Sequence, residues 1–189
     1  AMGAFRIANG LGEAFSGGSP YSLAARVTGL PWYEDKGEKL LHLGMSYAFD
    51  FRNGDEIRIR QRPSTKFGPR LVDTGKFITN DIVYLDPEIA LVLGPLSVQA
   101  EYLHTFLNQQ YIGDPQFTGW YVETSYFLTG EHRPYSRKEA KFKRLKPHHN
   151  FGWGEGSGWG AFQVAARVSQ LDLNSGDVDG GRMQDVTFG

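Results

Sequence analysis

The run Glu56-Ile57-Arg58-Ile59-Arg60-Gln61-Arg62-Pro63 places an arginine at every second position. In an extended chain, side chains two apart share a face, so the three guanidinium groups stand in a row about 6.5–7 Å apart. Guanidinium stays charged, offers planar forked donors and is weakly hydrated, so such a row can hand an oxyanion from one bidentate contact to the next. A solvated strand face carries the same spacing, and the run alone leaves both readings open. A second basic group comprises Arg133, Arg137, Lys138, Lys141, Lys143, Arg144 and Lys146, followed by His148 and His149 and interrupted only by Glu139. At a channel mouth it would focus the field and concentrate anions. Contact with anionic lipopolysaccharide, or plain solvation, would use the same residues. Covalent chemistry has no comparable constellation: GxSxG, HExxH and Walker patterns are absent, and the glycine-rich run 152–160 is not followed by Lys-Ser or Lys-Thr. Asp172, Asn174, Asp177 and Asp179 are spaced loosely like a calcium loop but lack the closing Glu, and turns are the commoner use of such residues. No enzyme activity, cofactor or metal is expected.

These groups need elements to hold them. The chain has 189 residues, enough for about one domain. Without cysteine it can build neither a disulfide framework, a CxxC zinc site nor a thiol nucleophile. With 20 Lys+Arg against 21 Asp+Glu it is not a basic protein that holds nucleic acid by bulk charge. No stretch of about 18 apolar residues could form a spanning helix. Aromatics at 14% and 24 glycines sit in a chain that is polar on average, which suits a soluble β protein or a barrel whose hydrophobicity is hidden in alternation.

Alternation is what the chain shows. From Leu41 to Phe51 every odd position is apolar, while His42, Gly44, Ser46, Ala48 and Asp50 are small or polar. That is longer than the usual soluble strand and fits a tilted membrane strand of about 9–11 residues. Tyr21–Thr28, Leu96–Tyr102 and Phe162–Ser169 repeat the pattern, and 120–128 forms a less regular strand. Phe5–Ala8 and Val186–Phe188 add weak strands, for a total of about eight. Asn53-Gly54 and Gly94-Pro95 are expected to turn hairpins. Residues 63–80, 130–152 and 173–181 are expected to be longer connections, with short turns gathered at one end of the sheet and long loops at the other. The expected fold class is all-β, an antiparallel transmembrane β-barrel. A soluble β-barrel or sandwich acting as a binding module is the alternative.

The segment Ser125–Tyr135, SYFLTGEHRPY, resembles the signature of the phosphate-selective porin O and P family. Arg62-Pro63, Leu71–Gly75, the Gly94-Pro95 hairpin and Ala165-Ala166-Arg167 leading into Leu171–Leu173 are similar to the same family in the same order. The resemblance implies a homotrimer of sixteen-stranded outer-membrane barrels that pass phosphate, polyphosphate or other oxyanions along an arginine ladder. Arg58, Arg60 and Arg62 match part of that ladder, Lys66 stands where a further basic residue is expected, and Arg26 and Arg167 are candidates on their strands' charged faces. Outer-membrane lipid and lipopolysaccharide would be the surroundings, and nucleic acid is not an expected partner. About eight strands are half of such a barrel, so residues 1–189 are expected to be one barrel segment from the C-terminal side of a longer porin.

Overall fold

The computed structural model describes residues 1–6, 20–65, 68–109, 113–154 and 157–189. In chain order the elements are β1 (Met2–Arg6), β2 (Tyr21–Glu34), a single 3-10 turn (Asp35–Gly37), β3 (Lys39–Ile57), β4 (Arg60–Gln61), β5 (Val72–Asp73), β6 (Phe77–Leu93), β7 (Leu96–Gln109), β8 (Gln116–Phe127), β9 (Tyr135–Ser136), β10 (Lys141–Phe142), β11 (Gln163–Ser175) and β12 (Val178–Phe188). The long strands form one eight-stranded sheet in the order β1-β2-β3-β6-β7-β8-β11-β12. All its pairings are antiparallel. Among the described residues β1 and β12 do not pair, so the sheet is open. Two small ladders, β4–β5 and β9–β10, lie in its two longest connections.

Register turns the alternation into two faces. Directly opposed residues share a face, so the pairings Arg26↔Ser46, Ser46↔Asp86, Gly44↔Glu88, Glu88↔Glu101, Glu101↔Tyr121 and Gln99↔Glu123↔Arg167 define a polar face. On the other face, Leu43, Met45, Tyr47, Ile89, Tyr102, Trp120, Val122, Val168 and Val186 are all exposed. Apolar side chains outside and charged ones inside reverse the soluble pattern, and an uninterrupted apolar face of this extent marks contact with something other than water.

Several expected connections differ. Asn53-Gly54 does not turn a hairpin. Both residues take the positive φ that such turns use, 55° and 79°. That backbone is spent instead on a bulge inside β3, where the register with β6 shifts between Phe51 and Asp55. Gly94-Pro95 does turn the β6–β7 hairpin, closing directly on Leu93↔Leu96. Residues 173–181 are not a long connection: β11 and β12 are joined across Ser175↔Val178 by Gly176-Asp177 alone, with Gly176 at φ 57°. Short turns and long loops are not sorted to opposite ends. Residues 58–76 leave the far end of β3, whereas 128–162 leave the end that also carries the tight turns 35–38 and 94–95. Strand direction decides this, because each antiparallel step reverses it.

Both long connections fold back against the polar face and are anchored there. In 58–76 the anchor is Val72, almost wholly buried against Phe77, Ile82, Leu107, Phe117, Leu173 and Val178, with Ile57 and Ile59 at the margin. Gly180 permits this approach, since a Cβ there would meet Leu173 and Thr74 at 2.7 and 3.0 Å. Ser64 N donates to Asp185 Oδ2 at 2.5 Å, tying the loop tip to β12.

The second loop is anchored by the residues of the Ser125–Tyr135 motif. Thr129 Oγ1 and His148 N both donate to the buried carboxylate of Glu131, and these bonds, the Thr129 one foremost, hold it below the usual carboxylate range. Tyr135 packs on Leu40, Val92 and Phe142. Its Oη lies 2.7 Å from His42 Nδ1, while His42 Nε2 lies 3.0 Å from Glu88 Oε1. An ionised carboxylate only accepts, so in the neutral ring Nε2 carries the proton and Nδ1 accepts from the Tyr135 hydroxyl.

Two substitutions test these anchors. Val72→Ala removes two buried methyl groups and leaves a cavity, costing roughly 2 kcal/mol. The expected result is faster proteolytic nicking between residues 62 and 71 and a lower unfolding temperature. Tyr135→Phe leaves a buried imidazole nitrogen without its donor, at about 1–3 kcal/mol. Hydrogen exchange should then rise across 133–142 while β6–β8 remain protected.

Candidate functional site

The three arginines do not share one continuous strand. β3 ends at Ile57, Arg58 lies beyond it, and Arg60 alone among the three belongs to a strand, the two-residue β4. The chain turns back because residues 59–61 pair with 71–74: Arg60↔Asp73 and Gln61↔Val72, with Leu71 N donating to Gln61 O at 3.0 Å and Thr74 N to Ile59 O at 2.9 Å. This fold brings a fourth arginine to the group. Arg70, on the return limb, has its pKa lowered by burial first and then by repulsion from Arg60, Arg62 and Arg58.

Among the described residues one carboxylate answers the four. Arg58 grips Asp73 with a fork, Nε to Oδ1 at 2.7 Å and Nη2 to Oδ2 at 2.5 Å. The Arg58 hydrogen bond leads in holding Asp73 down at about 2, assisted by Gly75 N at 3.0 Å, and Asp73 pushes Arg58 up in return. Arg60, Arg62 and Arg70 are exposed, and among the described residues none has a carboxylate within ion-pair distance. Four guanidinium groups against one carboxylate leave three positive charges uncompensated. Sequence periodicity misses Arg70 because it lies on the other limb of a turn. Its signal is the mirrored Arg62-Pro63 and Pro69-Arg70, two proline-marked limbs around a short polar stretch.

Arg26 and Arg167 lie on the polar face as expected, but each is held by a wall carboxylate. Arg26 Nε donates to Glu88 Oε1 at 3.1 Å, its Nη2 adding a second contact to the same oxygen. The reach crosses β3 at Gly44, where any Cβ would overlap the Glu88 carboxylate. Arg167 Nη1 is 3.6 Å from Glu123 Oε2, and its guanidinium lies 3.6 Å over the Tyr121 ring. These are neutralised wall contacts, unlike Arg60, Arg62 and Arg70. Lys66 lies outside the described residues.

The basic loop divides into anchors and free charges. Arg133 donates to Gln99 Oε1 at 2.5 Å and stacks 4.0 Å over Phe142, while Arg137 lies 5.1 Å over Tyr33. Lys141 is 3.5 Å from Glu139. Lys138, Lys143, Arg144 and Lys146 are exposed, with no carboxylate in ion-pair reach among the described residues. This loop and the arginine cluster therefore start from opposite ends of the same polar face. Between them the wall carries Asp86, Glu88, Glu101, Tyr121 and Glu123. Asp172, from the loosely calcium-like spacing, is taken up by Arg182 Nε at 2.8 Å and by Asn174 N at 3.1 Å.

Comparison with known proteins identifies the family. The family model for phosphate-selective porin O and P matches residues 12–189. An uncharacterized protein of Caulobacter vibrioides is 35% identical over 150 residues, covering 77% of this chain and 29% of that protein. Porin O of Pseudomonas aeruginosa is 29% identical over 160 residues, covering 74% of this chain and 35% of that protein. The chain thus spans about a third of the length of the curated relatives it matches. With nearly its whole length matched, and with a sheet that is apolar on one face and charged on the other, the chain belongs to the phosphate-selective porin O and P family.

Proposed function

We infer that the protein carrying this chain passes phosphate or polyphosphate anions across the outer membrane by passive diffusion. The observation that carries the reading is the uncompensated trio Arg60, Arg62 and Arg70, held against the polar face by a loop pinned at Val72. Weakly hydrated forks in that position bind an oxyanion, and repulsion among them keeps the binding loose enough for release. The exposed apolar face takes lipid in this reading, which a soluble binding module would have to cover in some other way. The free lysines and Arg144 of 138–146 act as a collector of anions. The loop leaves the end that also carries the tight turns 35–38 and 94–95, opposite the end from which the arginine cluster folds back. A homotrimer, as the family resemblance implies, belongs to this reading, and light scattering in detergent tests it.

Planar-bilayer conductance with phosphate and chloride tests the role of the cluster. An unscreened charge at contact distance in water counts for about 1 kcal/mol, so removing two of them with Arg60→Ala and Arg62→Ala should weaken phosphate block of chloride current by roughly thirtyfold. The paired change Arg58→Gln with Asp73→Asn removes one charge of each sign and should leave it near the original. A cation-preferring pore, or no change on losing Arg60 and Arg62, would refute the reading.

Asp73→Asn alone frees Arg58 and should strengthen phosphate binding. Because Asp73 is held down at about 2, its charge and its grip on Arg58 persist above the usual carboxylate range and are lost only as pH falls through about 2. The difference between Asp73→Asn and the original protein should therefore be constant from about pH 6 down to pH 4, where phosphate is a monoanion throughout.

A further inference from the structure

An anion pathway lined by carboxylates calls for a physical reason. Asp86, Glu88 and Glu101 share one patch of the polar face, with Glu88 directly opposite Glu101 in the β6–β7 register and Asp86 one step along. Like charges placed this way destabilise a sheet unless something answers them. Glu88 is answered by Arg26 and His42. Asp86 and Glu101 have no cation in ion-pair reach among the described residues. Glu101 accepts from the Tyr121 hydroxyl at 2.7 Å, which leaves acceptor capacity over. Asp86 Oδ1 is buried with no hydrogen-bond donor among the described residues. A buried acceptor left this way costs free energy until a donor arrives.

Both carboxylates line a cavity of about 300 Å³ between the wall and the inward-folded loop. Its other lining includes Arg62, Ser64, Tyr121 and Arg167. At about 30 Å³ per water, that is the room of roughly ten waters. One rim thus offers the free fork of Arg62, and the wall offers carboxylates that can only accept. Chloride and sulfate satisfy the fork but carry no proton at neutral pH. A phosphate monoanion or dianion does both, because it keeps at least one P–OH to donate.

We propose that Asp86 and Glu101, facing Arg62 across this cavity, form a selectivity site for oxyanions that still carry a hydroxyl proton. The arginine draws any anion, and the carboxylates repel those that cannot return a hydrogen bond. Selectivity of this kind comes from the penalty imposed on the wrong ligand. The proposal rests on the reading of the protein as an anion porin.

The test is conductance of the protein carrying this chain in potassium phosphate, sulfate and chloride, for the original and for Asp86→Asn, Glu101→Gln and the double variant. An amide can donate to sulfate, so the expected result is an approximately tenfold fall in phosphate-over-sulfate preference in the double variant, the scale of one charge-assisted hydrogen bond. Chloride current reports that the pore is intact. If all three anions gain equally, the carboxylates only repel, and the selectivity site is refuted. An unchanged phosphate-to-sulfate ratio in a pore that still prefers anions refutes it also, while leaving the porin reading in place. A pore that prefers cations before any substitution overturns both.

Discussion

Hydrocarbon on one face and water on the other is the condition the whole sheet answers to. A strand can meet it in one way, by sending alternate side chains to alternate solvents while every backbone group finds its partner in a neighbouring strand. Eight antiparallel strands do so here, and the exposed apolar row from Leu43 through Trp120 to Val186 is the result. Once the outer face is committed to apolar residues, ionisable groups must collect on the inner face. Function then depends on which of them are left uncompensated.

That division is made by the connections more than by the strands. Wall arginines are matched locally: Arg26 by Glu88 and Arg167 by Glu123. The free positive charge is carried instead by the two segments folded back from opposite ends. Each is pinned by a short apolar anchor, Val72 or Tyr135, and so holds its cations at a fixed place on the polar face. A rigid wall with charged inserts allows the chemistry of the polar face to vary without disturbing the strand pairing.

The alternating faces were legible because two-residue periodicity is a local signal: seven of the eight strands have a stretch that shows it, while β6 is announced only by the Gly94-Pro95 turn that ends it. What was not legible depended on pairing. Asn53-Gly54 has the backbone of a hairpin turn, and only the β3–β6 register reveals that it serves as a bulge. The Arg58–Arg62 row looked continuous because nothing local announces the fold-back onto 71–74. For the same reason Arg70 went unseen and Arg26 looked free, since Glu88 is 62 residues away along the chain.

The bulge at Asn53-Gly54 sets the reading frame for everything that follows it. Before it, even-numbered residues such as Asp50 point to the polar side; after it, the odd-numbered Ile57 and Ile59 point into the cluster around Val72. Arg58 and the arginines beyond it are thereby directed away from that cluster and toward water. An insertion or deletion of one residue in the bulge would exchange the two sets, driving guanidinium groups into an apolar pocket and stranding isoleucines on the polar side. Two residues in an outlying stretch of strand thus decide whether this segment carries charge or grease over the polar face.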